Sequence, residues 1–230
     1  MNYNIAIDGP AGAGKSTIAK LVSKKLSFIY VDTGAMYRAM ALYLIRHGID
    51  KTNVDEIEKI CQGAEISIEY KDGEQIVILN GENVNAFLRT EEVSNMASVS
   101  SAVPAVRKKL LSLQRKLAST MSVVMDGRDI GTTILPDADV KIFLTASSAT
   151  RAKRRYLELI DKGEKCNIED IQKDIEARDH RDMTREISPL RQADDAVLVD
   201  SSELTIDEVV EKIITIFKNK TSQEGNSNES

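Results

Sequence analysis

Five short apolar runs recur along the 230-residue chain, each ending at Asp or a small residue: NIAIDG (4–9), FIYVDTG (28–34), SVVMDG (122–127), VKIFLTA (140–146) and AVLVDS (196–201). Their length and β-branched content suit strands buried on both faces, and they lack the alternation of a half-exposed strand. Helix-period stretches separate most of them, such as KSTIAKLVSKKL after the first and ELTIDEVVEKIITIFKNK after the last. This order predicts a three-layer α/β fold: a mainly parallel five-stranded core sheet with helices on both faces. Ligands of such sheets bind beyond the carboxyl ends of the strands. Asp, Gly and Arg accumulate at those ends here.

Residues 63–88 break the pattern. AEISIEY and EQIVILN alternate apolar and polar residues around KDG, which predicts a hairpin, and GENVNAF supplies a third short strand. The expectation is a small antiparallel insertion on the parallel core. TEEVSNMASVSSAVPAVRKKLLSLQRKLA then reads as two helices, with Pro104 in the first turn of the second. The closing TSQEGNSNES is polar and aperiodic, and is expected to be disordered.

Directly after the first run stands GPAGAGKST. Gly9-x4-Gly14-Lys15-Ser16 has P-loop spacing in the required context, strand before and helix after. The segment Gly9, Pro10, Ala11, Gly12, Ala13, Gly14, Lys15, Ser16 and Thr17 is therefore a candidate cradle for the phosphates of ATP. Its glycines let backbone N–H groups turn toward one phosphate, and the following helix adds the positive end of its dipole. Lys15 can reach β- and γ-phosphate oxygens, and by spacing the Ser16 hydroxyl is the candidate direct Mg²⁺ ligand. Asp126 ends the third run and either holds Mg²⁺ through water or caps an Asp-Gly turn. Asp8 reads as a capping residue.

Several function classes are disfavoured. The net charge of −5 argues against a general nucleic-acid binder. No apolar run approaches the roughly 20 residues needed to cross a bilayer, the first residues do not resemble a signal peptide, and Cys61 and Cys166 lack metal-type spacing. A cytoplasmic monomer with no nucleic-acid or membrane partner is the expectation. A regulatory GTPase would need Asn-Lys-x-Asp and a switch Asp-x-x-Gly, and neither occurs. His47 stands at a predicted helix end and His180 among charges, so neither is a strong candidate base.

Arginines remain. Arg38 lies in DTGAMYR after the second run, and Arg128 in DGRD after the third. Arg178, Arg181, Asp182 and Arg185 share one face if ARDHRDMTR is helical. Each alone is an ordinary surface group, and an alternating-sign helix face is common. Together they suggest a second phosphate site, formed by guanidinium forks opposite the P-loop. An acceptor phosphate is largely ionised at pH 7, its second pKa being about 6, so such a kinase needs alignment and charge neutralisation rather than a base.

At DTGAMYR, DGRDIGTTILPDADVKIFLTA and RDHRD, taken with the P-loop, the chain resembles bacterial cytidylate kinases over about residues 3–218. The resemblance implies transfer of the ATP γ-phosphate to CMP or dCMP with Mg²⁺. It assigns Arg38, Arg128 and Arg185 to the acceptor phosphate, Arg178 and Asp182 to the ribose, and Ser98, Arg107 and Asp129 to the cytosine edge. Thr33 supplies the hydroxyl where the family often has Ser, and Lys-Ser-Thr replaces the Lys-Gly-Thr of many monophosphate kinases. RAKRR opens a segment that resembles the family's lid, where Arg151, Arg154 and Arg155 either close over the phosphates or form a basic helix face packed against the following DKGEK acids; Arg154 is the catalytic candidate, beside Lys15, Arg128 and Arg185. A single domain over 1–218 follows, its core at about 1–60, 120–147 and 190–218, a monophosphate-binding insertion at about 61–119, a helical lid at about 148–189, and a disordered tail at 219–230. The alternatives are a P-loop kinase for another monophosphate such as UMP, or an ATP-binding regulatory protein.

Overall fold

The computed structural model describes residues 2–71 and 73–227. In chain order the elements are β1 (Asn4–Asp8), α1 (Lys15–Leu26), β2 (Ile29–Asp32), α2 (Thr33–Arg46), α3 (Val54–Ile60), β3 (Ile66–Lys71), β4 (Glu74–Leu79), β5 (Glu82–Asn83), α4 (Glu91–Ser100), α5 (Pro104–Thr120), β6 (Val123–Gly127), β7 (Val140–Thr145), α6 (Ser148–Asp161), α7 (Ile168–Thr184), β8 (Val197–Asp200) and α8 (Ile206–Ser227). All five predicted core strands form, in the order β2-β6-β1-β7-β8, and every pairing is parallel. A separate sheet, β3-β4-β5, is antiparallel.

Side-chain alternation along β1 separates the two layers of helix. Ile5 and Ile7 pack with Ile18, Val22, Val209 and Ile213 of α1 and α8. Ala6 faces the other way, into a cluster with Met36, Met40 and Leu44 of α2 and Val106 and Leu110 of α5. Val77, Leu79 and Val84 from the small sheet belong to this same cluster. The insertion therefore shares the core of the parent sheet instead of burying its apolar face alone.

α6 and α7 differ in kind. Among the described residues, neither contributes to the two apolar clusters, and their buried positions are Arg151, Ala152, Asp179 and Asp182. Polar contacts hold this pair, and Leu157, Ile160 and Ile168 stay exposed.

Two expectations need correction. α8 continues to Ser227, into the tail read as disordered, while residues 228–230 lie outside the described residues. Thr221 and Ser222 donate their hydroxyls to the carbonyls of Phe217 and Lys218, at 3.0 and 2.7 Å, so polar side chains ride the helix without breaking it. α7 stops at Thr184, and Arg185 has extended geometry (φ −61°, ψ 141°). It therefore leaves the helical face that the spacing suggested.

Candidate active site

Register brings the strand ends level. Asp8 stands beside Gly127, and Asp32 beside Asp126. Above this edge opens a cleft of about 750 Å³, lined from the P-loop through α2, α4 and α5 to α6, α7 and the start of α8.

The P-loop half is mostly backbone. Gly9, Gly12 and Gly14 take φ of 151°, 74° and 86°. A Cβ at Gly9 would lie 1.9 Å from the Leu144 carbonyl oxygen, so the loop can pass the sheet only as glycine. α1 begins at Lys15 with no side-chain cap and no acid in its first turn, a helix start suited to an anion. Lys15 is buried and donates to the Pro10 carbonyl at 2.8 Å. Burial first, and then the nearby Arg128, bring its pKa down to about 7.

Asp126 lies below the loop. It accepts from Ser16 Oγ at 2.9 Å and from the Tyr30 hydroxyl at 3.0 Å. Burial, followed by the neighbouring Asp32, raises its pKa to about 6. A buried carboxylate bonded to neutral donors, with a hydroxyl at its side, suits a Mg²⁺ ion or its water. Among the described residues no cluster of three or more His, Cys, Asp or Glu could hold a metal alone, so phosphate oxygens would have to complete the shell. Asp8 does cap a turn, but a distant one: its carboxylate accepts from the N–H groups of Ile130 and Gly131, both at 2.7 Å. Burial pushes its pKa up to about 6 as well.

Across the cleft, carboxylates hold four of the forks, those of Arg38, Arg128, Arg107 and Arg185. Arg38 pairs with Asp32 at 2.9 Å, and Arg128 with Asp182 at 2.8 Å. Asp129 receives Arg107 on one oxygen and Arg185 on the other, the latter at 3.5 Å. Arg185 also donates to the Ser188 carbonyl at 2.7 Å, and Arg107 to the Ser101 carbonyl at 3.1 Å with its guanidinium 5.6 Å from the Tyr37 ring. Burial lowers the pKa of Arg178 and Arg185, and the next cause is Arg128 for the first and Arg107 for the second. Thr33 donates to the Asp126 carbonyl at 2.7 Å. Ser98 Oγ is buried with no hydrogen-bond partner among the described residues, at the wall of the cleft.

A family model for cytidylate kinase matches residues 5–219. The chain is 50% identical to a cytidylate kinase of Lactobacillus johnsonii, over 96% of each chain. It is 50% identical to that of Caldicellulosiruptor saccharolyticus, over 93% of this chain and 95% of the other, and 49% identical to that of Leuconostoc mesenteroides, over 96% and 99%.

The chain belongs to the cytidylate kinase family. It is a nucleotide-binding phosphotransferase of that family. Its fold also resembles the solved structure of an uncharacterized protein from Eubacterium ventriosum, with a TM-score of 0.50 at 14% identity, covering 94% of this chain and 99% of that one. At that identity the likeness speaks for the fold alone. Among the described residues, no helix of the kinase is long and apolar enough to cross a membrane.

The structure brings nearly all the expected residues of the kinase to one cleft. Ala11 to Thr17, Thr33, Arg38, Ser98, Arg107, Asp126, Arg128, Asp129, Arg154, Arg178, Asp182 and Arg185 line it, while Gly9 and Pro10 do not. Arg181 is exposed. The three lid arginines separate. Arg151 is buried and pinned, donating to the carbonyls of Ala146 and Ala11, both at 2.9 Å, and pairing with Asp179 at 2.7 Å. It joins the P-loop to α7 at the wall of the cleft. Arg154 donates to the Ser201 hydroxyl and carbonyl, at 3.2 and 2.6 Å, and Arg155 is half-exposed and pairs with Glu158 at 2.9 Å.

Sequence reasoning missed Tyr37, Asp32 and the wall made by Leu204, Thr205, Ile206 and Val209. Asp32 carried a signal, since Asp followed by Thr-Gly-Ala opens a helix and Asp is a favoured N-cap. The apolar wall carried one too, because it follows the last strand at its carboxyl end.

Proposed function

We propose that the protein transfers the γ-phosphate of ATP to CMP or dCMP, giving CDP or dCDP plus ADP. One observation carries the reading: a P-loop and a second set of carboxylate-held arginines face each other across a single cleft. A phosphate oxygen of the acceptor attacks the γ-phosphorus while the bond from that phosphorus to the β–γ bridging oxygen breaks. ADP leaves with the electron pair. No residue needs to remove a proton, because the attacking oxygen is already ionised. Arg38, Arg128 and Arg185 orient the acceptor phosphate and damp its repulsion with the donor, and Lys15 follows the charge that moves to the β–γ oxygens. Ser16, directly, and Asp126, through water, would hold Mg²⁺, which when bound neutralises phosphate charge.

Specificity follows from donor and acceptor chemistry. Cytosine presents an amino donor at N4, which a carboxylate such as Asp129 accepts, and acceptors at N3 and O2, which suit Arg107 and Ser98. Asp182 and Arg178 face the ribose. The α6–α7 pair, held by polar contacts instead of an apolar core, serves as a mobile lid whose closure excludes water and brings Arg154 to the phosphates. The insertion at about 61–119 is the monophosphate-binding part of a single domain, and the enzyme works as a cytoplasmic monomer.

ADP release from Mg-ATP, measured with CMP, dCMP, UMP, AMP, GMP or no acceptor, tests this. Fast release confined to CMP and dCMP is the expected result. Release with another monophosphate instead would discard the cytosine site, and release without any acceptor would make the protein an ATPase.

A further inference from the structure

The parallel sheet ends at β2, an edge strand. Ile29 turns its N–H inward, to the Ser122 carbonyl at 2.9 Å. By strand alternation the backbone groups of Tyr30 and Asp32 face outward, away from β6. Such groups need partners, and here side chains of the antiparallel insertion supply them for the Tyr30 carbonyl and for both groups of Asp32.

Tyr70 and Gln75 are directly paired across β3 and β4, so both project from one face of the hairpin. Tyr70 donates its hydroxyl to the Tyr30 carbonyl at 3.2 Å. The Gln75 amide is used at both ends: Oε1 accepts from the Asp32 N–H at 2.8 Å, and Nε2 donates to the Asp32 carbonyl at 3.2 Å. One primary amide thus substitutes for a neighbouring strand at a single residue. Gln75 is itself braced, because Asn85 donates to its carbonyl at 2.9 Å and accepts from the Val77 N–H at 2.9 Å.

The clamped residue is a pivotal one. Asp32 caps α2 by accepting from the Ala35 N–H at 2.8 Å, and its other oxygen holds Arg38 at 2.9 Å. Arg38 Nε is buried with no partner among the described residues, so Asp32 is its visible orienting contact. Gly34 makes room for this pair, since a Cβ there would lie 2.9 Å from Arg38 Nη1 and 3.1 Å from Asp32 Oδ1.

We infer that Gln75 is a positioning residue for the acceptor phosphate, acting through Asp32 on Arg38; the inference rests on the proposed role of Arg38. Gln75→Met keeps the side-chain volume and removes both bonds. It raises the KM for CMP about tenfold and leaves the KM for ATP within about twofold, as loss of two hydrogen bonds at one subsite should. In an Arg38→Ala background the same change has no further effect, because its path of action is gone. Tyr70→Phe, which loosens the hairpin without touching Asp32, leaves the KM for CMP within about twofold.

Steady-state kinetics of these variants, with thermal melts alongside, decide the matter. Equal changes for ATP and CMP, an undiminished effect without Arg38, or a Tyr70→Phe effect as large as that of Gln75→Met would each assign the result to general docking of the hairpin and overturn the inference. An active wild type with an unaltered Gln75→Met variant overturns it alone. A wild type that phosphorylates no monophosphate overturns the proposed function and the inference together.

Discussion

On the proposed function, the two halves of the cleft hold phosphate by opposite means. The donor half is one contiguous segment, residues 9–17, and uses backbone N–H groups whose directions follow from three glycine torsions. The acceptor half draws side chains from α2, α4, α5, the turn after β6, α7 and the residue beyond it. Four of its guanidinium groups do not stand alone: Asp32 holds Arg38, Asp182 holds Arg128, and Asp129 holds Arg107 and Arg185. Carboxylates there orient the forks and limit the cost of burying like charges together. The donor half has a single buried cation, Lys15, and pays for it in a depressed pKa. A backbone cradle resists mutation of most of its side chains, whereas a side-chain cradle fails one contact at a time.

The largest expected effect lies on the donor side. Lys15→Met lowers kcat by about 10²–10³-fold, the loss of one preorganised charge at the transferring group. Because the folded protein holds this ammonium at a cost, the same variant melts at a higher temperature than wild type. A fall in melting temperature would show that Lys15 stabilises the fold and would weaken the contrast.

Next comes Asp129→Ala, which strips the partner from both Arg107 and Arg185. It destabilises by about 3–5 kcal/mol, as expected when buried charges lose their counter-ion, and raises the KM for CMP more than that for ATP. Equal loss for both nucleotides, by steady-state kinetics, would dissolve the division between the halves.

A smaller effect comes from pH. Lys15 in the free protein has its pKa lowered to about 7, so its charged form is lost as pH rises through that value. ATP, which favours the ammonium, should bind about fivefold more weakly at pH 8 than at pH 7, with proton uptake on binding. Calorimetry in buffers of different ionisation enthalpy measures both. No proton uptake at pH 8 would mean that Lys15 is already charged there.

The smallest is Ser98→Ala. Its hydroxyl has no partner among the described residues, so the melting temperature should hold while the KM for CMP rises about two- to tenfold, the scale of one hydrogen bond. An unchanged KM would remove Ser98 from the base site.

Much of this molecule was readable before its fold was known. Five apolar runs separated by helical stretches dictated a parallel sheet, because runs of that length ask for a layer of helix on each face, although the edge strand β8 leaves Leu198 half-exposed. The P-loop was equally legible, since its chemistry is local: glycine torsions, a helix start and a lysine lie within nine residues. The arginines were visible as residue types, and the resemblance, not the spacing, gave them separate roles.

Tertiary structure alone decided what each arginine touches. Arg151 and Arg154 are three residues apart, yet one is locked between Ala11, Ala146 and Asp179 while the other reaches Ser201 at the end of the sheet. Arg185 fits the helical spacing of Arg178 but lies past the last turn. Gln75 carried no signal at all, as a polar residue in an alternating strand. Its contact with Asp32 spans 43 positions and depends on how a second sheet docks on the edge of the first. Local torsional and periodic preferences are written in neighbouring residues, whereas the partner of a charged or amide group is set by which distant elements pack beside it.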